Sequence, residues 1–332
     1  MIAILAPGQG SQAPGMLAPW LELEGVAEQV AAFSELAGLD LARLGTTADA
    51  EEIKDSAVTQ PLIVAMGLIT ASQLTIGSRV VLAGHSVGEV TAAAIAGTLT
   101  PSQAISFAAR RGAEMAAACA ATPTSMVAVI GGEVDEVLAA IVDAGLTPAN
   151  RNGAGQIVAA GSVEAIAALT ANPPPLARIR PLQVAGAFHT DYMSPAEQSL
   201  RAVAAQLSPA DPSQVLLSNA DGAVVDDGPT VLARLVAQVT RPVRWDLCLD
   251  TLRALGVTGA IELAPAGTLS GIARRELPDV RRVAVKSPAD LEAARQLLAE
   301  EPSEQTAPEQ DSLTATSSSG PAAVQPATTG MS

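Results

Sequence analysis

Short apolar runs alternate with longer alanine-rich stretches over residues 1–122. This alternation is typical of strands and helices in an α/β layer structure. The clearest predicted strand is Val80–Ala83, and good helix formers follow from Glu89 to Ala96. Met1 to Leu5 predicts a first strand. The uncharged stretch Ser56–Ser78 contains several polar residues and a proline, so it predicts a buried helix and not a membrane span.

The next part of the chain has a different pattern. Its predicted strands and helices follow the order β-α-β-β-α-β, which is typical of a ferredoxin-like unit. Its predicted strands are 126–130, 147–150, 156–160 and 177–184, and its predicted helices are 134–144 and 163–171. Farther along the chain, helices are predicted over 195–207, 230–239 and 246–255, with strands at 215–218 and 260–262. These later elements most simply complete the first sheet, so we expect the ferredoxin-like unit to be an insertion.

The chain therefore divides into three predicted parts. Residues 1–122 and 187–300 form an α/β core with a mainly parallel sheet, and residues 123–186 form the ferredoxin-like subdomain. Over residues 301–332 the composition shifts to Ser, Thr, Pro, Ala and Gln, with few large apolar residues. Such a segment cannot offset its ordering entropy by burial, so we expect a disordered tail.

Charge and composition exclude several classes of function. The chain of 332 residues has 19 Lys and Arg against 34 Asp and Glu, and its net charge of −15 argues against binding to nucleic acid or an anionic membrane. Its two cysteines lack the spacing of a metal site or a disulfide framework, which fits a reducing compartment. The first residues lack the positive charge of a signal peptide. We therefore expect a cytoplasmic protein.

A candidate nucleophile lies between the clearest strand and the helix after it. The segment Gly84-His85-Ser86-Val87-Gly88 fits G-x-S-x-G, in which glycines permit a strained turn that holds a serine hydroxyl out of the sheet. The alternative interpretation is an ordinary turn flanked by glycines. Since a neutral serine is a poor nucleophile, the catalytic interpretation also requires a base within hydrogen-bond reach.

The choice of base is narrow because the chain contains only two histidines, His85 and His189. His85 directly precedes the serine in a sharp turn, so we expect its side chain to project elsewhere and to have a structural role. His189 follows the predicted insertion, where a loop at a strand end could face the serine. Ser86 and His189 are therefore the predicted nucleophile and base.

A glycine-rich loop follows the first strand. Gly8, Gly10 and Ala13 satisfy G-x-G-x-x-G/A, so a dinucleotide-binding loop must be considered. However, Pro14 and Pro19 interrupt the helix that would accept a pyrophosphate. The glycines are better suited to bringing a backbone N–H close to a reacting carbonyl, as in an oxyanion hole.

Together these residues resemble the malonyl-CoA:acyl carrier protein transacylases of fatty acid synthesis and, more distantly, the acyltransferase domains of polyketide synthases. The resemblance covers about residues 1 to 300. It rests on six segments in this order: Gly8–Gln12, Gly84–Glu89, Arg111-Gly112 with Met115, Asn152, Gly155-Gln156 and Phe188-His189. The family fold is a hydrolase-like α/β core with an inserted ferredoxin-like subdomain, in agreement with the predicted organisation.

The resemblance also implies roles for individual residues. Ser86 would carry the acyl group and His189 would be its base, oriented by the main-chain carbonyl of Gln238. The backbone N–H groups of Gln9 and Val87 would form the oxyanion hole. The substrate-binding residues would be Arg111, Met115, Asn152 and Phe188, with Arg111 clamping the malonyl carboxylate. From sequence alone, Arg111 could equally be solvated surface charge, as arginine pairs usually are.

Malonyl-CoA and an acyl carrier protein are the implied partners, and the resemblance implies no metal or redox cofactor. We expect a monomer. A serine esterase or thioesterase is the main alternative, although its histidine normally lies late in the chain, and a noncatalytic carrier-docking module is another. Acyl carrier proteins are commonly acidic, so a local positive surface is expected. The candidates are Arg274-Arg275 with Arg281-Arg282 and Lys286, or Arg178 with Arg180.

Overall fold

The computed structural model describes residues 1–300. Its strands are β1 (Ile2–Ala6), β2 (Val80–Gly84), β3 (Thr124–Gly131), β4 (Thr147–Gly153), β5 (Gln156–Ser162), β6 (Ala177–Pro181), β7 (Val215–Leu217), β8 (Val224–Val225), β9 (Val243–Arg244), β10 (Gly259–Glu262) and β11 (Arg281–Ala284). Its α-helices are α1 (Val26–Ala37), α2 (Leu41–Thr46), α3 (Ser56–Ser72), α4 (Gly88–Ile95), α5 (Pro101–Ala121), α6 (Val134–Asp143), α7 (Val163–Ala171), α8 (Ser194–Ala204), α9 (Gly228–Ala237), α10 (Trp245–Ala254), α11 (Thr268–Glu276) and α12 (Leu291–Ala299).

The main sheet has six strands in the order β11-β10-β1-β2-β7-β8, and only the β7–β8 pair is antiparallel. Its central strands β1 and β2 are buried along their whole length, as expected when helices cover both faces of a parallel sheet. Alternate residues of β1 enter different cores. Ile2 and Ile4 pack in the larger core, whereas Ala3 and Leu5 pack with Trp245 of α10 on the other face.

Helices α3 and α5 pack against each other in the larger core. The stretch predicted to be a buried helix forms α3, which begins at Ser56 and ends at Ser72. Helix α5 begins with a capping box, in which Thr100 and Gln103 each bond the backbone of the other, and Pro101 occupies its first turn. These signals fix the start of the long helix that carries Arg111.

The second sheet has the order β6-β3-β5-β4-β9. Its first four strands pair antiparallel, with α6 and α7 in their connections, in the order predicted for a ferredoxin-like unit. The sequence gives no signal for β9, because this strand is only two residues long. It pairs parallel with β4, opposite Asn150 and Arg151, and thereby covers an edge of the sheet that would otherwise expose unpaired backbone groups.

Several predicted boundaries differ from the structure. The strand predicted over 177–184 ends at Pro181, after which the Leu182 N–H still donates to the Met126 carbonyl. The helix predicted over 195–207 ends at Ala204. The sequence did not indicate β11, since its two arginines obscure the apolar pattern of a strand. The expected disordered tail, residues 301–332, lies outside the described residues.

Candidate active site

Polar residues follow three neighbouring strands of the main sheet at their carboxyl ends. Gln9 follows β1, Ser86 follows β2 and Asn219 follows β7. In open α/β sheets, ligands bind in the crevice outside the carboxyl ends of the strands. The parallel sheet thus brings segments that are distant in sequence to one edge.

Ser86 lies in the sharp turn between β2 and α4 with φ of 53°. A non-glycine residue in the left-handed region costs roughly 1–2 kcal/mol, so the surrounding packing must hold this turn. Gly88 permits that packing, because a Cβ atom there would lie 2.1 Å from the Ala6 carbonyl oxygen. The His85 N–H donates to the same Ala6 oxygen at 3.0 Å. The strand, turn and helix have the arrangement predicted from G-x-S-x-G.

His189 lies beside this serine, with its Nε2 2.8 Å from Ser86 Oγ. Its Nδ1 lies 2.8 Å from the backbone oxygen of Gln238. Because a carbonyl oxygen can only accept, Nδ1 carries the proton and Nε2 presents its lone pair to the serine hydroxyl. This tautomer is the one that can take a proton from Ser86.

The environment of His189 keeps its imidazole neutral. Burial lowers the pKa of His189 to about 3, and the positive charge of Arg111 acts in the same direction. The hydrogen bond to the Gln238 carbonyl opposes this change in pKa. The ring is therefore in its basic form at neutral pH.

The other histidine has different partners. His85 Nε2 lies 2.8 Å from Asn152 Oδ1 on β4, and its ring meets Trp245 edge to face at 5.7 Å. Burial lowers the pKa of His85. Asn152 also donates to Gln156 Oε1 at 3.1 Å. His85 thus connects the turn at Ser86 to the second sheet, which matches its predicted structural role.

Arg111 lies on the buried side of α5 and is 1% exposed. Its Nη1 donates to Gln60 Oε1 at 2.6 Å, and its Nη2 donates to Gln238 Oε1 at 2.8 Å and to Ser86 Oγ at 3.3 Å. Its buried Nε has no hydrogen-bond partner within residues 1–300. Burial lowers the pKa of Arg111 to about 10, so the side chain stays positive at neutral pH. The interpretation of Arg111 as solvated surface charge is wrong.

Three further polar residues of the site were not assigned a role from sequence: Gln60, Glu89 and Asn219. Gln60 supports Arg111, and its Nε2 lies 3.4 Å from the sulfur of Met115. Glu89 is buried, and its carboxyl group bonds both Asn219 and Gln238. Burial raises the pKa of Glu89, while the Asn219 N–H, the Arg111 charge and the Gln238 amide lower it by favouring the charged form. Both of its oxygens accept hydrogen bonds from N–H groups, so the contacts are those of the carboxylate. Only Glu89 had a sequence signal, its position in the serine motif.

Two backbone N–H groups lie beside the serine or in the wall of the same cavity, at Val87 and Gln9. Within residues 1–300, neither the Gln9 N–H nor the Val87 N–H donates a hydrogen bond. Gln9 is held in place by its side chain, which donates to Ser56 Oγ at 3.2 Å. Gly8 passes so close to the serine turn that a Cβ atom there would lie 2.4 Å from the His85 carbonyl oxygen. After Gly10 the chain forms turns and a short 3-10 helix at Ala18–Trp20, and the first α-helix begins only at Val26, so the dinucleotide-binding interpretation is wrong.

A cavity of about 240 Å³ contains Ser86 and His189 in its wall. It is lined from the main-sheet side by the loop with Gln9 and from the second sheet by Asn152 and several apolar side chains. Met115 and Phe188 also line it. Every predicted site residue therefore lies in this wall or is hydrogen-bonded or adjacent in sequence to a residue that does.

Within residues 1–300 there is no cluster of three or more His, Cys, Asp or Glu side chains that could hold a metal ion. No helix among these residues is both long and apolar enough to cross a membrane.

A serine and a neutral histidine at the carboxyl edge of a parallel sheet form a site suited to acyl transfer. The family model described as the acyl transferase domain matches residues 4–297. The chain belongs to this acyltransferase family, which favours a transferase over the esterase alternative.

Several proteins similar to this chain are named as malonyl transacylases. The malonyl CoA-acyl carrier protein transacylase of Mycobacterium bovis is 57% identical over 297 residues, covering 88% of this chain and 98% of that protein. Its counterpart from Bacillus subtilis is 30% identical over 310 residues, which cover 90% of this chain and 98% of that protein. The crystal structure of MCAT from Mycobacterium tuberculosis is 56% identical with a TM-score of 0.87, covering 89% and 99%. A solved structure of a type II PKS acyl-carrier protein in complex with its malonyl-transacylase matches with 29% sequence identity and a TM-score of 0.81. The match covers 89% of this chain and 99% of that chain.

Proposed function

We infer that this protein transfers a malonyl group from malonyl-CoA to the phosphopantetheine thiol of an acyl carrier protein. Family membership and the transacylase relatives support the reaction class. The position of Arg111 beside Ser86 is the observation that supports a carboxylated acyl group. A malonyl group carries a carboxylate beyond its thioester carbonyl. Since Arg111 forms no ion pair with a carboxylate within residues 1–300, the malonyl carboxylate would bind its charge without displacing another carboxylate.

The first half-reaction acylates Ser86. His189 Nε2 takes the hydroxyl proton as Oγ attacks the thioester carbonyl carbon. The N–H groups of Gln9 and Val87 donate to the oxyanion of the tetrahedral intermediate. The carbon–sulfur bond then breaks, and His189 returns the proton to the leaving thiolate of coenzyme A. Arg111 Nη2, 3.3 Å from Oγ, stabilises negative charge as it develops on the serine oxygen.

The second half-reaction transfers the malonyl group to the carrier. The phosphopantetheine thiol gives its proton to His189 and attacks the malonyl-serine ester. When the intermediate collapses, Ser86 Oγ takes the proton back and the new thioester leaves. His189 thus acts as base and acid in both halves, oriented by a main-chain carbonyl instead of a carboxylate.

The carrier would approach from the side of β6. Arg178 and Arg180 are exposed and alternate along this strand, so both lie on one face. Arg180 is opposite Ala128 of β3, which lines the cavity, so the two arginines lie on the cavity side of the sheet. In the other basic cluster, Arg281 forms an ion pair with Glu300. We therefore assign docking of the acidic carrier to Arg178 and Arg180.

The same proposal places the protein in fatty acid synthesis, acting in the cytoplasm as a monomer without a metal or redox cofactor. The names of the relatives support the pathway.

Mass spectrometry of the intact protein tests the proposed function. After mixing with malonyl-CoA, the protein is expected to gain one malonyl group, and addition of a phosphopantetheinylated acyl carrier protein is expected to remove it as malonyl-carrier. Ser86→Ala is expected to gain none, whereas Ser72→Ala on α3 is a control that should label normally. Persistence of the ester in Ser86→Ala, or release of free malonate in place of malonyl-carrier, would contradict the proposal.

A further inference from the structure

The buried charge of Arg111 is held entirely by neutral groups. Two amide oxygens, from Gln60 and Gln238, accept from its guanidinium, and the third acceptor is the Ser86 hydroxyl. Within residues 1–300 it forms no ion pair with a carboxylate. Its position therefore depends on how those two amides are themselves held.

The amide of Gln238 is fixed in one orientation by a residue behind it. Its Nε2 donates to Glu89 Oε2, and its Oε1 accepts from Arg111 Nη2 at 2.8 Å. A guanidinium can only donate, so the amide must present its oxygen to Arg111 and its NH₂ group to an acceptor. Glu89, which is 5% exposed at the start of α4, supplies that acceptor. The Gln238 amide thus links Glu89 to Arg111, which form no direct ion pair within residues 1–300.

The second oxygen of Glu89 holds the turn that carries the nucleophile. Oε1 accepts from the Asn219 N–H at 2.5 Å. The side chain of Asn219 in turn accepts from the Ser86 N–H at 2.8 Å and from Gln238 Nε2 at 3.3 Å, and it donates to the Gly84 carbonyl at 2.8 Å. Glu89 is therefore connected to the backbone of Ser86 through Asn219 and to the guanidinium of Arg111 through Gln238.

We propose that Glu89 is a positioning residue for malonyl transfer, which sets the distance and orientation of Arg111 relative to Ser86 through the amide of Gln238. This inference rests on the proposed function, because it needs Arg111 to bind the substrate carboxylate. Glu89 touches neither the serine hydroxyl nor the imidazole in the described contacts, so it acts only through its two partners.

Glu89→Gln tests the inference because the two side chains have nearly the same shape. A glutamine at position 89 replaces one acceptor oxygen with a donor, so it can no longer accept from both Asn219 and Gln238. Either the Gln238 amide keeps only its longer bond to Asn219 Oδ1, at 3.3 Å, or it turns and presents NH₂ to Arg111. We expect kcat/KM for malonyl-CoA to fall about 10- to 100-fold, with a clearly smaller loss for acetyl-CoA, which has no carboxylate for Arg111.

A second variant separates the two branches. Gln238→Met removes the amide but keeps the backbone carbonyl that orients His189 and leaves the bond between Glu89 and Asn219 in place. We expect it to lose malonyl transfer selectively. This variant also carries the test if Glu89→Gln does not fold. Glu262→Gln is the matched control, since Glu262 is a buried carboxylate that accepts from backbone N–H groups of Gly267 and Leu269, away from Arg111. It should leave the ratio of malonyl to acetyl transfer unchanged.

A double-mutant cycle gives the decisive measurement. In an Arg111→Ala background, the malonyl-selective loss caused by Glu89→Gln should disappear, because the residue it acts through is gone. Equal losses for malonyl-CoA and acetyl-CoA in both variants, or a selective loss that persists without Arg111, would overturn the inference. Acylation of the unmodified protein is measured separately, so a failure of the proposed function itself is distinguishable.

Discussion

The two sides of the cavity differ sharply in chemistry. On the main-sheet side, Ser86 and His189 are connected to Arg111, Gln238 and Glu89 by hydrogen bonds between buried polar groups. The second sheet contributes no ionisable side chain to the cavity lining within residues 1–300. It contributes three amides, Asn150, Asn152 and Gln156, and several apolar side chains. Those that line the cavity on this side are Met126, Ala128 and Val158, followed by Leu182 and Val184 in the loop after β6.

The main-sheet side therefore holds the reacting groups, and the second sheet gives the cavity its shape. Buried polar networks are rigid when their members find partners, and the side chains of Ser86, His189, Gln238 and Glu89 are hydrogen-bonded to one another or to Arg111. The second sheet lines the cavity opposite these groups and reaches the serine turn through the hydrogen bond between Asn152 and His85. Substitutions on the main-sheet side should therefore change chemistry, and those on the second sheet should change binding.

The largest effect is expected at the base. His189→Ala removes the group that takes the serine proton, and the rate of malonyl-serine formation should fall about 10²- to 10⁴-fold. Rapid-quench mass spectrometry of the acyl-enzyme measures that rate directly. If the rate of malonyl-serine formation falls less than tenfold, His189 is not the base.

A smaller and more selective effect is expected at Arg111. Arg111→Ala removes charge-assisted hydrogen bonds worth about 1.5–3 kcal/mol each, so kcat/KM for malonyl-CoA should fall roughly 10- to 100-fold or more. Acetyl transfer should fall far less. The neighbouring Arg110→Ala is the control, since Arg110 is half exposed and pairs with Glu114. Equal losses for the two acyl donors would remove the carboxylate role of Arg111.

On the second-sheet side, charge reversal should alter only carrier binding. The double change Arg178→Glu and Arg180→Glu should raise the KM for the acyl carrier protein about 3- to 10-fold, with a smaller effect at high salt because exposed charges are screened. The KM for malonyl-CoA should stay the same. Arg281→Glu, in the other basic cluster, is the matched control. A larger effect of that control would move the docking surface to the other cluster.

The smallest effect on the acylation rate is expected from a change of pH between about 5 and 7. Because the pKa of His189 is about 3, its protonation should leave kcat/KM for acylation level between about pH 5 and pH 7. Stability should nevertheless change. The unfolded chain binds a proton at this imidazole near pH 6.5, well before the folded protein does, so stability falls as the pH decreases from about 6.5 toward 3. Denaturant titrations should show a weaker pH dependence in His189→Ala.

Much of this organisation was predictable because its causes are local. The serine turn follows from glycines flanking Ser86 between a strand and a helix, and the presence of only two histidines left His189 as the candidate base. The order of the second sheet followed from short alternating patterns. The pairing of β9 with β4 was missed because two residues carry no period, and the engagement of Arg281 by Glu300 was missed because ion pairs depend on tertiary position.

The sequence by itself determined the α/β class, the strained serine turn and the identity of the two groups expected to meet there. These features depend on periodicity, glycine sterics and elimination, which act over short segments or over the whole composition. Only the folded structure shows that Gln60 and Asn219 belong to the site and that Glu89, which has a place in the serine motif, bonds both Asn219 and Gln238. A polar side chain does not reveal from its neighbours in sequence whether it will be buried. Its partners are chosen when parallel strands bring distant loops to one edge and every buried donor there must find an acceptor.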